Sequence, residues 1–258
     1  MNARQALYLK EMGLGPVWRL RAPPQLDGVE PDLPDLPDLP DLPDLPDLPD
    51  LQALQEPAAE SSPPVAIDRN AAIRGMEWAQ LRDNIRSCAA CRLHATRIQA
   101  VPGVGDEQAD WLFVGEAPGA DEDAQGEPVV GQAGKLLDNM LASIGLKRGN
   151  NVYIANVLKC RPPGNRNPLP EEVALCEPYL QRQVALINPK LIIALGKFAA
   201  QTLLRQEAKI ADLRGQIHRY QDIPLIVTYH PAYLLRSLTE KAKAWQDLCL
   251  AVKTMQEL

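Results

Sequence analysis

The sequence lacks the features that define several large protein classes. No apolar run reaches membrane-spanning length, and the first 20 residues lack the apolar core of a signal peptide. Only 3 histidines occur in 258 residues, so a metal centre built from histidine and aspartate is disfavoured. The phosphate-binding pattern that ends in Gly-Lys-Ser/Thr is also absent. We therefore expect a cytoplasmic protein without a membrane segment.

An excess of positive charge is also missing from the chain as a whole, which carries a net charge of −6. Residues 1–75 hold 6 basic and 13 acidic side chains, whereas the remaining residues hold 21 basic and 20 acidic ones. The acidity therefore belongs to the amino-terminal segment, and the rest of the chain is close to neutral. A nucleic-acid interface would have to be a local basic patch.

A low-complexity repeat divides the chain. Residues 31–51 repeat the triplet Pro-Asp-Leu, and proline at every third position prevents helix and sheet while the aspartates repel one another. We predict a short amphipathic peptide at 1–22, a disordered Pro/Asp-rich linker at 23–70 and one folded domain at 71–258. The peptide is interpreted either as a docking element for a partner protein or as a loosely ordered tail.

Within the predicted domain, short apolar runs alternate with amphipathic segments of helical period. The runs begin near Trp111, Asn151, Leu191 and Leu225. This alternation predicts an α/β fold with three α/β/α layers and a central four-stranded, mainly parallel sheet. The last helix is predicted to begin near Thr239 and to bury Trp245, Leu248, Cys249 and Val252.

An acidic, glycine-rich loop follows the first apolar run. Residues 115–123 read Gly-Glu-Ala-Pro-Gly-Ala-Asp-Glu-Asp and precede an amphipathic helix. Open α/β sheets place ligand sites in loops that leave the carboxyl ends of parallel strands. The acidic side chains disfavour a phosphate and favour a neutral ligand, together with the handling of a proton or a water molecule. A solvated acidic turn is the alternative interpretation.

Four of the five cysteines form a set with metal-binding spacing. Cys88 and Cys91 are separated by two residues, and Cys160 and Cys176 follow at the end of a strand and on a helix. Four thiolates can hold a zinc ion or a [4Fe–4S] cluster, and the spacing alone does not separate the two.

Together with the cysteines, three separated segments resemble one known family. They are residues 115–123, residues 156–165 (Asn-Val-Leu-Lys-Cys-Arg-Pro-Pro-Gly-Asn) and residues 230–236 (His-Pro-Ala-Tyr-Leu-Leu-Arg). Over about residues 76–250 the chain resembles the iron–sulfur, or family-4, uracil-DNA glycosylases of bacteria and archaea. The resemblance implies a three-layer α/β/α fold, a [4Fe–4S] cluster on the four cysteines and removal of uracil from DNA.

The resemblance also implies how the base is recognised. Asn156 is expected to read the polar edge of uracil, with Ala117 and Val129 lining the pocket. His230 is expected to donate a hydrogen bond to uracil O2 as negative charge develops there. The family usually has phenylalanine at the position of Val129, and base–aromatic stacking contributes ~1–3 kcal/mol. We therefore expect weaker uracil binding here, without loss of activity.

Further roles follow from the same resemblance. Glu122 is ranked first as the carboxylate that orients water or stabilises the sugar cation, with Glu116 and Asn165 in support. Leu234 is expected to act as the wedge that fills the space left by the flipped nucleotide. Phosphate contacts are expected from the basic residues that flank these loops, namely Lys159, Arg161, Arg166, Lys197, Arg214 and Arg236.

Two other functions are alternatives to this one. The first is a non-catalytic or covalent uracil-DNA binding module with the same fold, and the second is a zinc-stabilised phosphate-ester enzyme. The covalent branch uses an inserted basic segment with a histidine after the second strand, and residues 161–168 have neither. The expected partner is uracil-containing DNA, single- or double-stranded, bound by a monomer whose tail is a candidate docking element for a repair or replication protein.

Overall fold

The structure is a computed structural model that describes residues 68–258. The predicted peptide at 1–22 and the linker as far as residue 67 lie outside the described residues. Among the helices that are described, none is long and apolar enough to cross a membrane.

The described chain contains nine α-helices and six strands, numbered here in chain order. The strands are β1 (Val104–Gly105), β2 (Trp111–Gly115), β3 (Val152–Asn156), β4 (Leu191–Leu195), β5 (Ile217–Tyr220) and β6 (Ile223–Thr228). The helices are α1 (Arg69–Arg74), α2 (Trp78–Ser87), α3 (Ala120–Gln125), α4 (Gly131–Ser143), α5 (Pro170–Ile187), α6 (Lys197–Leu204), α7 (Ile210–Leu213), α8 (Pro231–Arg236) and α9 (Lys241–Gln256). Short 3-10 segments lie at Arg92–Ala95, Pro163–Asn165 and Leu238–Glu240.

The six strands form one sheet in the order β1-β3-β2-β4-β6-β5. The four central strands are parallel, whereas β1 pairs with β3 and β5 pairs with β6 in antiparallel fashion. The predicted α/β class is confirmed, but the prediction of four strands is wrong. The two edge strands were missed because β1 has only two residues and β5 is largely exposed, so neither carries the apolar run that marks a buried strand.

Helices cover both faces of the sheet, and the central strands are buried on both. On β2, Leu112 and Val114 pack in one hydrophobic cluster with Leu180 of α5. Phe113 points to the other face and packs with Leu137 of α4. Successive side chains of a strand alternate between faces, so each face of β2 is assigned by this contact pattern.

The last helix differs in detail from its prediction. It begins at Lys241, after a 3-10 segment, and buries Ala244 and Leu248. Trp245 is 47% exposed and Cys249 is exposed, so their predicted burial is wrong. Residues four apart share a helix face, and the face that contains Ala244 and Leu248 is turned to the protein while the adjacent one is turned to solvent.

The amino-terminal end of the described chain is tied to the domain by Arg69. Its guanidinium donates to the Leu175 carbonyl oxygen at 3.0 Å and lies 5.0 Å from the centre of the Tyr179 ring. The Asp68 side chain accepts a hydrogen bond from the Asn70 amide at 3.0 Å and so caps α1. Asp68 and Arg69 therefore belong to the folded unit.

These contacts predict which amino-terminal truncation lowers the stability of the domain. Removing residues 1–67 should leave the urea unfolding midpoint unchanged. Removing residues 1–70 deletes the cap and the Arg69 contacts, and should lower the free energy of unfolding by about 1–3 kcal/mol. Equal unfolding midpoints for the two truncated chains would contradict this assignment.

Candidate active site

Three of the predicted site segments meet at the carboxyl edge of the sheet. Gly115 ends β2 and pairs in register with Asn156, which ends β3. A Cβ atom placed on Gly115 would lie 2.3 Å from Asn156 Oδ1 and 3.8 Å from His230 Nε2. The Asn156 amide and the His230 imidazole therefore converge above Gly115, in space that only glycine leaves open.

The Asn156 side chain is available to a ligand. It is 2% exposed, and its Oδ1 lies directly over the backbone of Gly115. Its main-chain carbonyl oxygen is held separately, by the Lys159 ammonium at 2.7 Å. The carboxamide thus presents an N–H donor and a carbonyl acceptor to an incoming molecule.

His230 is held as a neutral hydrogen-bond donor. Its Nδ1 accepts from the Ala232 amide at 3.2 Å, which leaves the proton on Nε2. Burial, assisted by the nearby Arg236, lowers the pKa of His230 to about 4. Near pH 7 the ring is therefore uncharged, and its Nε2–H group is the one closer to Gly115.

Glu122 holds the acidic loop together. One carboxylate oxygen accepts from the Gly119 amide at 3.0 Å, and the other accepts from the Val130 amide at 3.1 Å. Both oxygens are thus bound to backbone groups on the two sides of α3. In this structure Glu122 positions the loop, and because each oxygen keeps a second lone pair, its role in handling water stays a prediction.

Glu116 lies on the opposite face of the sheet from Asn156. It lines a cavity of about 470 Å³ between α5 and α6, beside Val157 and Phe198. Burial raises the pKa of Glu116 to about 7, and no described residue forms an ion pair with it. A carboxyl group with that pKa can gain or lose a proton near neutral pH.

A second buried acid of the loop was missed by the sequence reasoning. Asp123 is 1% exposed and accepts from the Ile98 amide at 2.9 Å and from the Gln99 amide at 3.3 Å. It therefore ties the loop to a segment 25 residues earlier. An isolated aspartate in an acidic run carries no signal of such a distant partner.

Ala117 and Val129, both predicted to line the base pocket, lie in different surroundings. Val129 is 3% exposed and packs with Phe113 and Ile154, on the face of the sheet to which Asn156 points. Ala117 packs instead against the cluster that contains the four cysteines. Val129 therefore shares a sheet face with the Asn156 amide, whereas Ala117 borders the cysteine region.

The predicted DNA-contacting residues differ in their exposure and in their hydrogen-bond partners. Lys197 and Arg236 are exposed. Arg161 donates to Asn165 Oδ1 at 2.7 Å, and Arg166 donates to the buried Glu172 at 2.9 Å, so these residues of the second loop are bound to one another or to α5. Asn165 is thus occupied by Arg161 in this structure.

Two predicted phosphate contacts and the predicted wedge are corrected. Lys159 is 1% exposed, so it cannot reach a phosphate. Arg214 pairs with Asp247 at 2.8 Å and covers the Tyr229 ring. Leu234 is 1% exposed and packs with Tyr229, so its side chain does not project from the surface. The exposed apolar side chains nearby are Tyr233, Leu235 and Leu238.

The four predicted ligand cysteines share one hydrophobic cluster with residues of α1, α2 and α5. Arg97 donates to Cys160 Sγ at 2.9 Å, and the Lys159 amide donates to Cys176 Sγ at 3.3 Å. Within residues 68–258, no three metal-ligating side chains close on a single ion. Four thiols with hydrogen bonds to sulfur fit the donor chemistry of an iron–sulfur cluster and of zinc alike.

Comparison with known proteins agrees with this geometry. The family model of the uracil DNA glycosylase superfamily matches residues 102–249. The type-4 uracil-DNA glycosylase of Archaeoglobus fulgidus is 52% identical over 159 residues, covering 58% of this chain and 79% of the relative. That of Pyrobaculum aerophilum is 42% identical over 183 residues, covering 68% and 93%. The type-5 uracil-DNA glycosylase of Thermus thermophilus is 34% identical over 118 residues, covering 40% and 53%.

Proposed function

The chain belongs to the uracil-DNA glycosylase superfamily, in its type-4 branch, and from that premise we propose the reaction and the residues that perform it. The protein is a DNA repair glycosylase that hydrolyses the N-glycosidic bond of deoxyuridine in DNA. The products are free uracil and an abasic site. The observation that carries the proposal is the convergence of Asn156 and His230 above Gly115.

Base recognition is the first step of the proposed mechanism. A base inside a duplex cannot reach a buried amide, so the nucleotide must be extruded or lie on a single strand. The Asn156 amide nitrogen donates to uracil O4, and its oxygen accepts from uracil N3–H. Cytosine presents the reverse pattern at these positions, so the same amide rejects it.

Departure of the base is assisted by His230. Breaking the glycosidic bond leaves negative charge on uracil, part of it on O2. The neutral imidazole donates its Nε2–H to that oxygen as the charge develops, and no proton needs to be transferred. Donors aimed in advance at developing charge are worth ~10²–10³ in rate.

Glu122 is the carboxylate we assign to water, because Glu116 opens into the cavity on the opposite face of the sheet from Asn156. Each Glu122 oxygen accepts one backbone hydrogen bond, which leaves each oxygen a second lone pair. The Glu122 carboxylate orients the attacking water, accepts its proton and stabilises the cationic sugar. Asn165 supports the second loop through Arg161.

The cofactor we propose is a [4Fe–4S] cluster held by Cys88, Cys91, Cys160 and Cys176. When bound, it supplies cross-linking that fastens the segment after β3 to the amino-terminal helices. Arg97 and the Lys159 amide donate to the sulfurs of this centre. Lys197 and Arg236 remain the exposed candidates for phosphate contacts. A monomeric state, a cytoplasmic location and docking by the tail stay predictions.

The function is tested by release of free uracil from a labelled uracil-containing oligonucleotide. The wild-type protein should release uracil and leave an alkali-labile site. His230→Ala should slow release by ~10²–10³ because the oxyanion loses its donor, and Asn156→Ala should abolish selectivity for uracil over cytosine. His94→Ala and Asn139→Ala, both at exposed positions, are the matched controls. A protein–DNA adduct that survives alkali would favour the covalent binding module instead.

The burial of Glu116 predicts a specific pH dependence of stability. Burial raises the pKa of Glu116 to about 7, so the folded protein holds this proton more tightly than the unfolded chain does. The free energy of unfolding should therefore decrease as the pH rises from about 5 to about 7, because ionisation of a buried carboxyl group is unfavourable. Glu116→Gln should remove this decrease, whereas Glu127→Gln, at an exposed position of the same loop, should keep it. Urea unfolding midpoints across this pH range are the measurement, and an equal pH dependence in the two variants would contradict the prediction.

The cofactor is tested on anaerobically purified protein by iron and sulfide analysis. We expect a brown protein with visible absorbance, about four iron atoms and about four sulfides per chain. Cys160→Ser should lose most of that absorbance, whereas Cys249→Ser should retain it because Cys249 lies on the exposed face of α9. Zinc in place of iron, with no visible absorbance, would contradict the proposal.

A further inference from the structure

Val129 has a backbone conformation that its residue type disfavours. Its φ angle is +51°, in the left-handed region, where a β-branched residue is an outlier. Val129 is also only 3% exposed, so protein groups surround it on nearly all sides. Conformations of this kind persist only where the surroundings impose them, and they cluster at functional sites.

The Arg148 side chain hydrogen-bonds the backbone on the carbonyl side of this residue. Arg148 Nη2 donates to the Val129 carbonyl oxygen at 2.8 Å, and Nη1 donates to the Pro128 carbonyl oxygen at 3.1 Å. Nε of the same guanidinium donates to Asp138 at 2.9 Å. Three donors of one planar group are thus used, which the single ammonium of a lysine cannot reproduce.

Two further features hold the same peptide from other sides. Glu122 accepts from the Val130 amide, the next donor along the chain. A Cβ atom on Gly134 would lie 2.4 Å from the Val129 carbonyl oxygen, so the absence of a side chain there leaves room for that oxygen. The conformation of Val129 is therefore determined from both ends.

We propose that Arg148 is a positioning residue for base excision, which holds Val129 in its left-handed conformation against the base pocket. The inference rests on the proposed function, since the pocket wall at Val129 is assigned through it. Arg148 lies outside the three motif segments and outside the cysteine set. It acts on the uracil through the backbone of residues 128 and 129 and touches no reacting atom.

The test compares Arg148→Gln and Arg148→Lys with the wild-type protein. Single-turnover release of uracil is measured beside the Kd for a uracil-free oligonucleotide of the same sequence. We expect release to slow about tenfold in both variants, since the strained conformation is no longer imposed. The Kd for uracil-free DNA should stay within about twofold, because Arg148 is already bound to the protein's own carbonyl oxygens. The first control is Asp138→Asn, which keeps both Arg148 hydrogen bonds to the carbonyl oxygens of residues 128 and 129. The second control is Arg219→Gln, at an exposed position.

A second background separates positioning from general stability. Glycine adopts a positive φ without strain, so in the Val129→Gly protein residue 129 no longer depends on the Arg148 hydrogen bonds to keep that conformation. The loss caused by Arg148→Gln should shrink to less than about threefold when it is measured in the Val129→Gly protein. Equal losses in the two backgrounds would overturn the inference, as would an unchanged release rate or a matching loss of affinity for uracil-free DNA. A wild-type protein that releases no uracil would overturn the proposed function, and the inference with it.

Discussion

The structure depends on the parallel, in-register pairing of β2 and β3, which places their last residues, Gly115 and Asn156, side by side at the same edge of the sheet. Because Gly115 has no side chain, the Asn156 amide can lie directly over its backbone. The apolar strands and the helices on both faces keep this edge rigid. His230 then needs only to follow β6, two strands away from β2, for its ring to meet the same point.

Lys159 connects this edge to the cysteine cluster. Its buried ammonium donates to the Asn156 carbonyl oxygen at 2.7 Å and to Gln183 at 2.6 Å, and its amide donates to Cys176 Sγ. Burial lowers the pKa of Lys159 to about 8, and the sulfurs of Cys176 and Cys160 oppose that lowering. Burial also raises the pKa of the Cys160 and Cys176 thiols. Through its side chain and its amide, Lys159 therefore links the end of β3 to the cluster of cysteines.

Local patterns predicted much of the fold. The four central strands, the helix after the acidic loop and the cysteine set follow from apolar periodicity and spacing, which are properties of neighbouring residues. The exposed edge strand β5 and the outward turn of Cys249 depend on what packs nearby, so the sequence pattern did not predict them. The contacts of Glu122, Lys159 and Arg148 were not predicted, for a related reason. Each is decided by backbone groups that the fold brings close, and a charged side chain alone does not reveal which partner it meets.

The sheet itself separates two environments. Asn156 and Val129 lie on one face, and Glu116 opens into the cavity on the other, between α5 and α6. The central strands thereby separate a change of charge in the cavity from the residues around Asn156. During evolution, the lining of the cavity can therefore drift while the layer that carries Asn156 is inherited intact.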